Sequence, residues 1–248
     1  MYPKETRERA IALLSSGQSM NSVSRQTGVS RAAIREWRDR GIEPVRPLSC
    51  FRCQSPPPDA ETYALLFGFY LGDGCISRQR STFSLRITCD KAYPHIIDTV
   101  SDALETVRVT GSVCRVRAPG CVVVQSCWKH WPCLFPQHGP GRKHERELVM
   151  QPWQREIVNE HPADFLRGLF HSDGCRTRNW ATRVVAGEKK RYDYGRWQFV
   201  NNSEHIRTWC TEALDLLEIP WRQSSWKCVS VSTRDGVARL DELIGLKS

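Results

Sequence analysis

No stretch of 18 consecutive apolar residues occurs in the 248-residue sequence, so no membrane span is expected. The opening "MYPKETRERAIALLSSGQS" lacks an apolar h-region; it is charged and periodic, and does not read as a secretory signal. Acidic residues are the scarcer charge, 27 Asp+Glu against 36 Lys+Arg, which leaves a formal net charge of +9. That balance favours polyanionic partners, nucleic acid first and anionic membrane second. A disulfide framework is missing too: the eleven cysteines are odd in number and scattered, as expected of reduced thiols in a cytosol. What is present can fill a core. Hydrophobic residues make up 40% and aromatics 9%, which argues against global disorder, and the length suits one large domain or two unequal ones.

Three zones follow along the chain. Residues 1–41 read as three short helices, residues 42–59 as a linker with five prolines, and residues 60–248 as helices and strands in an order that runs twice. The first pass covers 60–150: a helix in "AETYALLFGFYLGD", strands near 75–80 and 82–89, the helix "KAYPHIIDTVSDALETV", strands in "GSVCRVRAPGCVVVQSC" and a short helix in "WKHWPCLFP". The second covers 151–248: "HPADFLRGLFHSD" with Pro162 at a first helical position, strands near 176–186 and 191–200, a helix capped by Ser203, strands near 220–232, and the helix "TRDGVARLDELIG". Both halves therefore read α-β-β-α-β-β-α, as after an internal duplication.

"SMNSVSRQTGVSRAAIREWRDRG" has the spacing of a helix-turn-helix, although Ser24 stands where such motifs usually carry alanine. Val23, Val29, Ile34 and Trp37 fall where two crossed helices bury side chains, Gly28 at the turn, and Ser30 where it can cap the next helix. Arg31, Arg35 and Arg38 occupy the solvent face of that helix, placed for phosphates or guanine edges. A small bundle used for protein contacts is the competing reading.

"LFGFYLGDG" (66–74) and "LRGLFHSDG" (166–174) carry the chemistry. Small residues recur at i and i+4, Gly68 and Gly72, then Gly168 and Ser172, on one helix face, where they let two backbones approach closely. Asp73 and Asp173 follow at the helix C-termini, with Gly74 and Gly174 expected in a left-handed conformation that ends each helix. A carboxylate there opposes the helix dipole by roughly 0.3–1 kcal/mol. Two such carboxylates brought side by side cost more, unless a hard cation such as Mg²⁺ lies between oxygen ligands. An ordinary surface turn is the bland alternative for either copy alone.

These stretches resemble the paired LAGLIDADG motifs of homing endonucleases, in their single-chain form. The whole chain resembles free-standing bacterial proteins that join a helix-turn-helix to this domain. The departures are Phe67 and Arg167 for the small second residue, and Leu71 and His171 for the first aspartate of the motif. The resemblance implies an α+β fold: a pseudo-symmetric, duplicated α-β-β-α-β-β-α saddle over double-stranded DNA, preceded by a small all-α domain. It implies a monomeric, cytoplasmic, nucleoid-associated endonuclease. Asp73 and Asp173, with the carbonyls of Gly72 and Ser172, would bind Mg²⁺ or Mn²⁺ there, one site per strand, leaving short 3′ overhangs. Basic residues near the scissile phosphates are expected as well, and Lys143 in "HGPGRKHERE" and Lys227 in the other half are the candidates.

The strand pattern supplies an expected DNA face. Arg86 alternates with Leu85 and Ile87, behind Arg78 and Arg80; Arg115 and Arg117 share one face. Arg176, Arg178, Arg183, Arg191, Arg196 and Gln198 repeat the habit in the second half, and Arg and Gln read purine edges bidentately. A solvated sheet face is the alternative for any single strand.

Cys50 and Cys53 form half of a zinc site, which Cys127, His130 and Cys133 could complete only from another zone. Cys75 and Cys175 are expected to begin strands as small buried residues, and the His/Trp cluster to pack in the core. Two rival functions remain: a regulator whose LAGLIDADG domain binds DNA without cutting, and a protein-splicing element, which the absence of a C-terminal His-Asn disfavours.

Overall fold

A computed structural model describes residues 2–42, 59–108 and 111–245. The linker cysteines Cys50 and Cys53 lie outside the described residues. The chain divides into two compact units, the first holding three helices and the second everything from Asp59 onward.

In the first unit α1 (Lys4–Ser15), α2 (Met20–Thr27) and α3 (Arg31–Arg40) close on Ala10, Val23, Val29 and Ile34, with Trp37 packed against them. Ser19 and Ser30 accept hydrogen bonds from Ser22 N and Ala33 N at the starts of α2 and α3. Gly28, at φ 68°, ends α2 in the left-handed region that the turn to α3 needs. The Ser24 hydroxyl, where alanine was the norm, donates to Val29 O at 2.7 Å across that turn. Arg31, Arg35 and Arg38 are exposed; Arg31 donates to Asn21 Oδ1 and Arg38 pairs with Asp39.

The second unit is α+β and duplicated. Its first half runs α4 (Ala60–Asp73), β1 (Gly74–Arg78), β2 (Phe83–Asp90), α5 (Pro94–Arg108), β3 (Val113–Ala118), β4 (Cys121–Cys127) and α6 (Trp131–Leu134). After α7 (Pro152–Glu160) the second half repeats the order: α8 (Pro162–Asp173), β5 (Gly174–Val185), β6 (Glu188–Val200), α9 (Glu204–Leu216), β7 (Arg222–Ser225), β8 (Cys228–Val231) and α10 (Arg234–Ile244). The two antiparallel sheets have matching orders, β1-β2-β4-β3 and β5-β6-β8-β7. Helix α7 goes beyond the sequence reading, yet its signal is present: Pro152 in the first turn, and Gln151 and Gln154 forming a reciprocal capping box. Among the described residues no helix is long and apolar enough to cross a membrane.

Helix α4 is apolar on every side because it is the centre of the unit: Tyr63 through Leu71 are all buried. Phe67, in place of the small residue of the motif, stacks with Phe165 and Phe135 at 5.6 and 6.3 Å. Gln154 bonds the Tyr63 hydroxyl and Gln137, tying α4 to α7 through fully satisfied buried polar groups.

Strand register fixes which faces are free, and it corrects the expected DNA face. Arg115 pairs with Val124 and Arg117 with Val122, so both arginines share the helix side of their sheet. Arg115 is engaged there with Asp98 and Ser101 of α5. Arg78 falls on the same side through its partner Phe83. The outward rung consists of Cys75, Arg86, Gln125 and Cys114. In the second sheet Arg176 pairs with the buried Trp197 and is held bidentately by Asp241 of α10, at 2.7 and 2.8 Å. Arg178 and Arg191 lie on that same side by alternation, whereas Arg183, Arg196 and Gln198 point outward, joined by Arg222. Alternation alone names two faces; which one a helix covers is a tertiary fact.

Candidate functional site

Helices α4 and α8 lie side by side with Gly68 opposite Gly168 and Gly72 opposite Ser172, so they run parallel and end together. A Cβ on Gly68 would sit 2.7 Å from Leu169 N and 2.9 Å from Gly168 Cα; one on Gly72 would meet Ser172 Cβ at 2.5 Å. Ser172 fits because its hydroxyl folds back onto Gly168 O and Leu169 O, at 2.9 and 3.0 Å.

The glycines after each aspartate do something different from what was expected. Gly74 (φ −84°) and Gly174 (φ −93°) are extended, not left-handed, so each helix passes directly into the first strand of its sheet. Space is the reason for glycine: a Cβ would come within 2.7 Å of Tyr70 O at Gly74 and 2.6 Å of Phe170 O at Gly174. Because these buried glycines take the inward strand position, Cys75 and Cys175 point outward and are exposed, against the expectation that they would be buried.

The two carboxylates open into separate cavities, each shared with the opposite helix. Asp173 lines a cavity of about 550 Å³ together with Gly72, and Asp73 lines one of about 350 Å³ together with Ser172. The Asp173 carboxylate lies against Gly72 and accepts from Asn201 Nδ2 at 2.7 Å. Register makes Cys89 the counterpart of Asn201 in the first half, since Gly74 pairs with Ile87 and Gly174 with Phe199. Burial pushes the Cys89 thiol up to about 12, helped by the Asp73 carboxylate.

The Asp173 cavity is the basic one. Lys143, Arg142, Arg146 and Lys227 all line it, so the two lysines sit together rather than one per half. The reason is the path of residues 138–146, which fold back over the end of α4, while Lys227 occupies the β7–β8 turn; the corresponding β3–β4 turn reads Pro119-Gly120 and carries no lysine. Lys143 Nζ donates to the carbonyls of Tyr70, Leu71 and Gly74 and shares a longer contact of 3.4 Å with that of Gly72, so it caps the C-terminal carbonyls of α4. Burial lowers its pKa to about 8, although Asp173, Cys75 and Asp73 pull the other way. Lys143→Met keeps the aliphatic stem but strands these carbonyls, and is expected to cost about 1–3 kcal/mol in a urea titration. An unchanged midpoint would remove the lysine from the cap. Around Asp73 the arginine is Arg176, already held by Asp241, and the other ionisable neighbours include Asp90 and His171.

The oxygen donors, a carboxylate with the facing helix's C-terminal carbonyls on each side, are of the kind a hard cation takes, but on the Asp173 side the Lys143 ammonium already lies against the Gly72 carbonyl. Among the described residues no group of three or more His, Cys, Asp or Glu side chains could hold a metal. Cys133 Sγ lies 3.9 Å from His130 Nδ1, but Trp131 beside them is core, with its indole nitrogen donating to Ser126 O. Asn201, Arg146 and Arg142 are site residues that the sequence reading missed; the "VNNS" after a strand and the run "GRKHER" were the available signals.

No protein-family model and no curated protein matches the sequence. Similar solved structures include I-DmoI in complex with DNA and Mn, at 12% identity over 76% of this chain and 99% of that one, TM-score 0.49. The LAGLIDADG meganuclease I-AabMI bound to uncleaved DNA is similar at 13% identity over 73% and 82%, TM-score 0.46. The N-terminal LAGLIDADG domain of DUF199/WhiA is similar at 12% identity over 79% and 87%, TM-score 0.44.

Proposed function

We propose that the chain is a double-stranded DNA endonuclease with two divalent-metal sites, one on each side of the shared C-terminal end of the α4–α8 pair. One observation carries this reading: two parallel helices in backbone contact present a carboxylate each at the same end, where their dipoles oppose it. Asp173 with the Gly72 carbonyl would hold Mg²⁺ or Mn²⁺ on one side, and Asp73 with the Ser172 carbonyl on the other. A cation bound there supplies Lewis acidity at the scissile phosphate and offsets charge on the leaving 3′ oxygen. The chain's own groups do the rest. Asn201 orients the Asp173 carboxylate. Lys227, Arg142 and Arg146 lend positive charge to the wall against which a phosphate would rest. Arg86, Arg183, Arg196 and Gln198 supply outward-facing groups for base edges, and Arg80 extends from the β1–β2 loop. The three-helix unit, with Arg31, Arg35 and Arg38 exposed on α3, is a second DNA-binding module of helix-turn-helix type.

A second reading, a regulator that binds DNA without cutting, draws support from Lys143: its ammonium already occupies the carbonyls at the end of α4, Gly72 among them. Incubation with randomised duplex DNA, followed by sequencing of new ends, separates the two. Paired nicks on opposite strands that need Mg²⁺ and vanish with EDTA are expected. Salt-sensitive binding without any cut would make the regulator the correct reading.

A further inference from the structure

The two halves differ most in one element. Strands β1 and β2 are 5 and 8 residues long and are joined by a short loop that Gln79 N closes onto Thr82 O. Their counterparts β5 and β6 have 12 and 13 residues and meet at Ala186-Gly187, both at positive φ, a two-residue turn that continues the strand twist. Since β1 ends at Arg78 and its equivalent in β5 is Arg178, residues 179–185 have no match in the first half. They extend the second hairpin by about 23 Å at roughly 3.3 Å per residue.

Neither face of this projection is covered. Trp180 is 58% exposed and Val184 67%, and Val185 and Tyr192 are exposed as well. A bare two-stranded ribbon is marginal in water, and large exposed apolar groups on one mark a partner. Its charge selects the partner's chemistry. Residues 179–193 hold Arg183, Lys189, Lys190 and Arg191 against Glu188 and Asp193, and Arg191 packs over the Trp180 ring at 5.2 Å. An arm that is cationic, aromatic and narrow enough for a groove fits a polyanionic duplex better than a protein or a membrane surface.

We infer that the β5–β6 hairpin is a DNA-contacting arm that lengthens the target on one side, so that the site bound by this chain is asymmetric in extent. This rests on the DNA-binding reading above. The arm adds on the order of 4–7 base pairs, given roughly 3.4 Å per base-pair step and a ribbon lying oblique to the axis.

The test uses duplexes recovered by binding from a pool with a 40-base-pair randomised region, probed by hydroxyl-radical footprinting on the full chain. In one variant Asn-Gly replaces residues 181–192, so that the pair Trp180 and Asp193 flanks the new turn and the register is kept. A second keeps the hairpin and carries Arg183→Gln with Lys190→Gln. Protection by the shortened variant is expected to retreat at one end by several base pairs and to stay unchanged at the other. The charge variant should keep its fold even if the shortened one does not, and should lower the slope of log K against log salt by about 1–2. Retreat at both ends, or no change in footprint and slope, overturns the arm. Recovery of no duplex by the full chain overturns the DNA-binding reading along with it.

Discussion

Gly168→Ala is expected to destabilise the second unit by about 2–3 kcal/mol or more, the opposite of the usual outcome inside a helix. Helix propensity alone would favour alanine by about 1 kcal/mol. Here the added methyl group meets Phe69 N at 2.9 Å and Gly68 Cα at 3.0 Å, and Leu65 O closer still. Overpacking of this kind costs roughly 1–3 kcal/mol when side chains can shift, and these atoms are backbone of a buried helix, which cannot rotate away. The clash therefore outweighs the propensity. Urea titration checks it, with Ser172→Ala as the control at the same interface: losing a hydroxyl that bonds Gly168 O and Leu169 O of its own helix should cost about 1 kcal/mol. Equal stability for Gly168→Ala and the parent chain would mean that the two helices can part, and with them the premise that their ends are held together.

The second large effect is on cleavage. Asp73→Asn and Asp173→Asn are each expected to slow cutting of one strand by on the order of 10²–10³-fold, since a carboxylate that holds the catalytic cation supports several kcal/mol of transition-state stabilisation at 1.36 kcal/mol per tenfold. Each single variant should leave a nicked product and the double variant none. Stability is expected to move the other way. At Asp73, removing a charge that opposes the helix dipole should raise it by about 0.3–1 kcal/mol; at Asp173 that gain is offset by the lost attraction to the buried Lys143 ammonium. Asp173→Asn keeps an oxygen for Asn201 Nδ2, so local order should survive. Strand-resolved cleavage and urea titration together decide the matter: unchanged cutting in both variants would take the site away from these residues.

Much of this was legible in the sequence because it was written twice. Glycine or serine at i and i+4 before each aspartate determines a helix contact through geometry that no other part of the fold can alter, and the repeated element order follows from periodicity. Sidedness was harder. "CRVRA" alternates cleanly, but only the pairing of Arg115 with Val124 shows that its arginines stand on the helix side of the sheet, where Arg115 meets Asp98 and Ser101 of α5. The glycines after the aspartates read as left-handed caps because helix ends commonly are; here the helix runs straight into a strand and glycine is needed for room. Lys227 and Lys143 are 84 residues apart and share a cavity through chain path alone, which no local pattern encodes. The same holds for Asn201, a donor whose counterpart in the first half is a thiol.

The backbone contact between α4 and α8 has a consequence for how such a chain can change. The distance between its two acidic ends is set by main chain against main chain at Gly68 and Gly168, with the small Ser172 side chain facing Gly72 beside the carboxylates. The groups proposed to read bases stand on the outward sheet faces, away from that seam. On the endonuclease reading proposed above, recognition can drift residue by residue while the spacing of the two cuts stays constant, as with a ruler whose scale is fixed and whose label is rewritten. Variants selected to bind new sequences should produce overhangs of the same length as the parent.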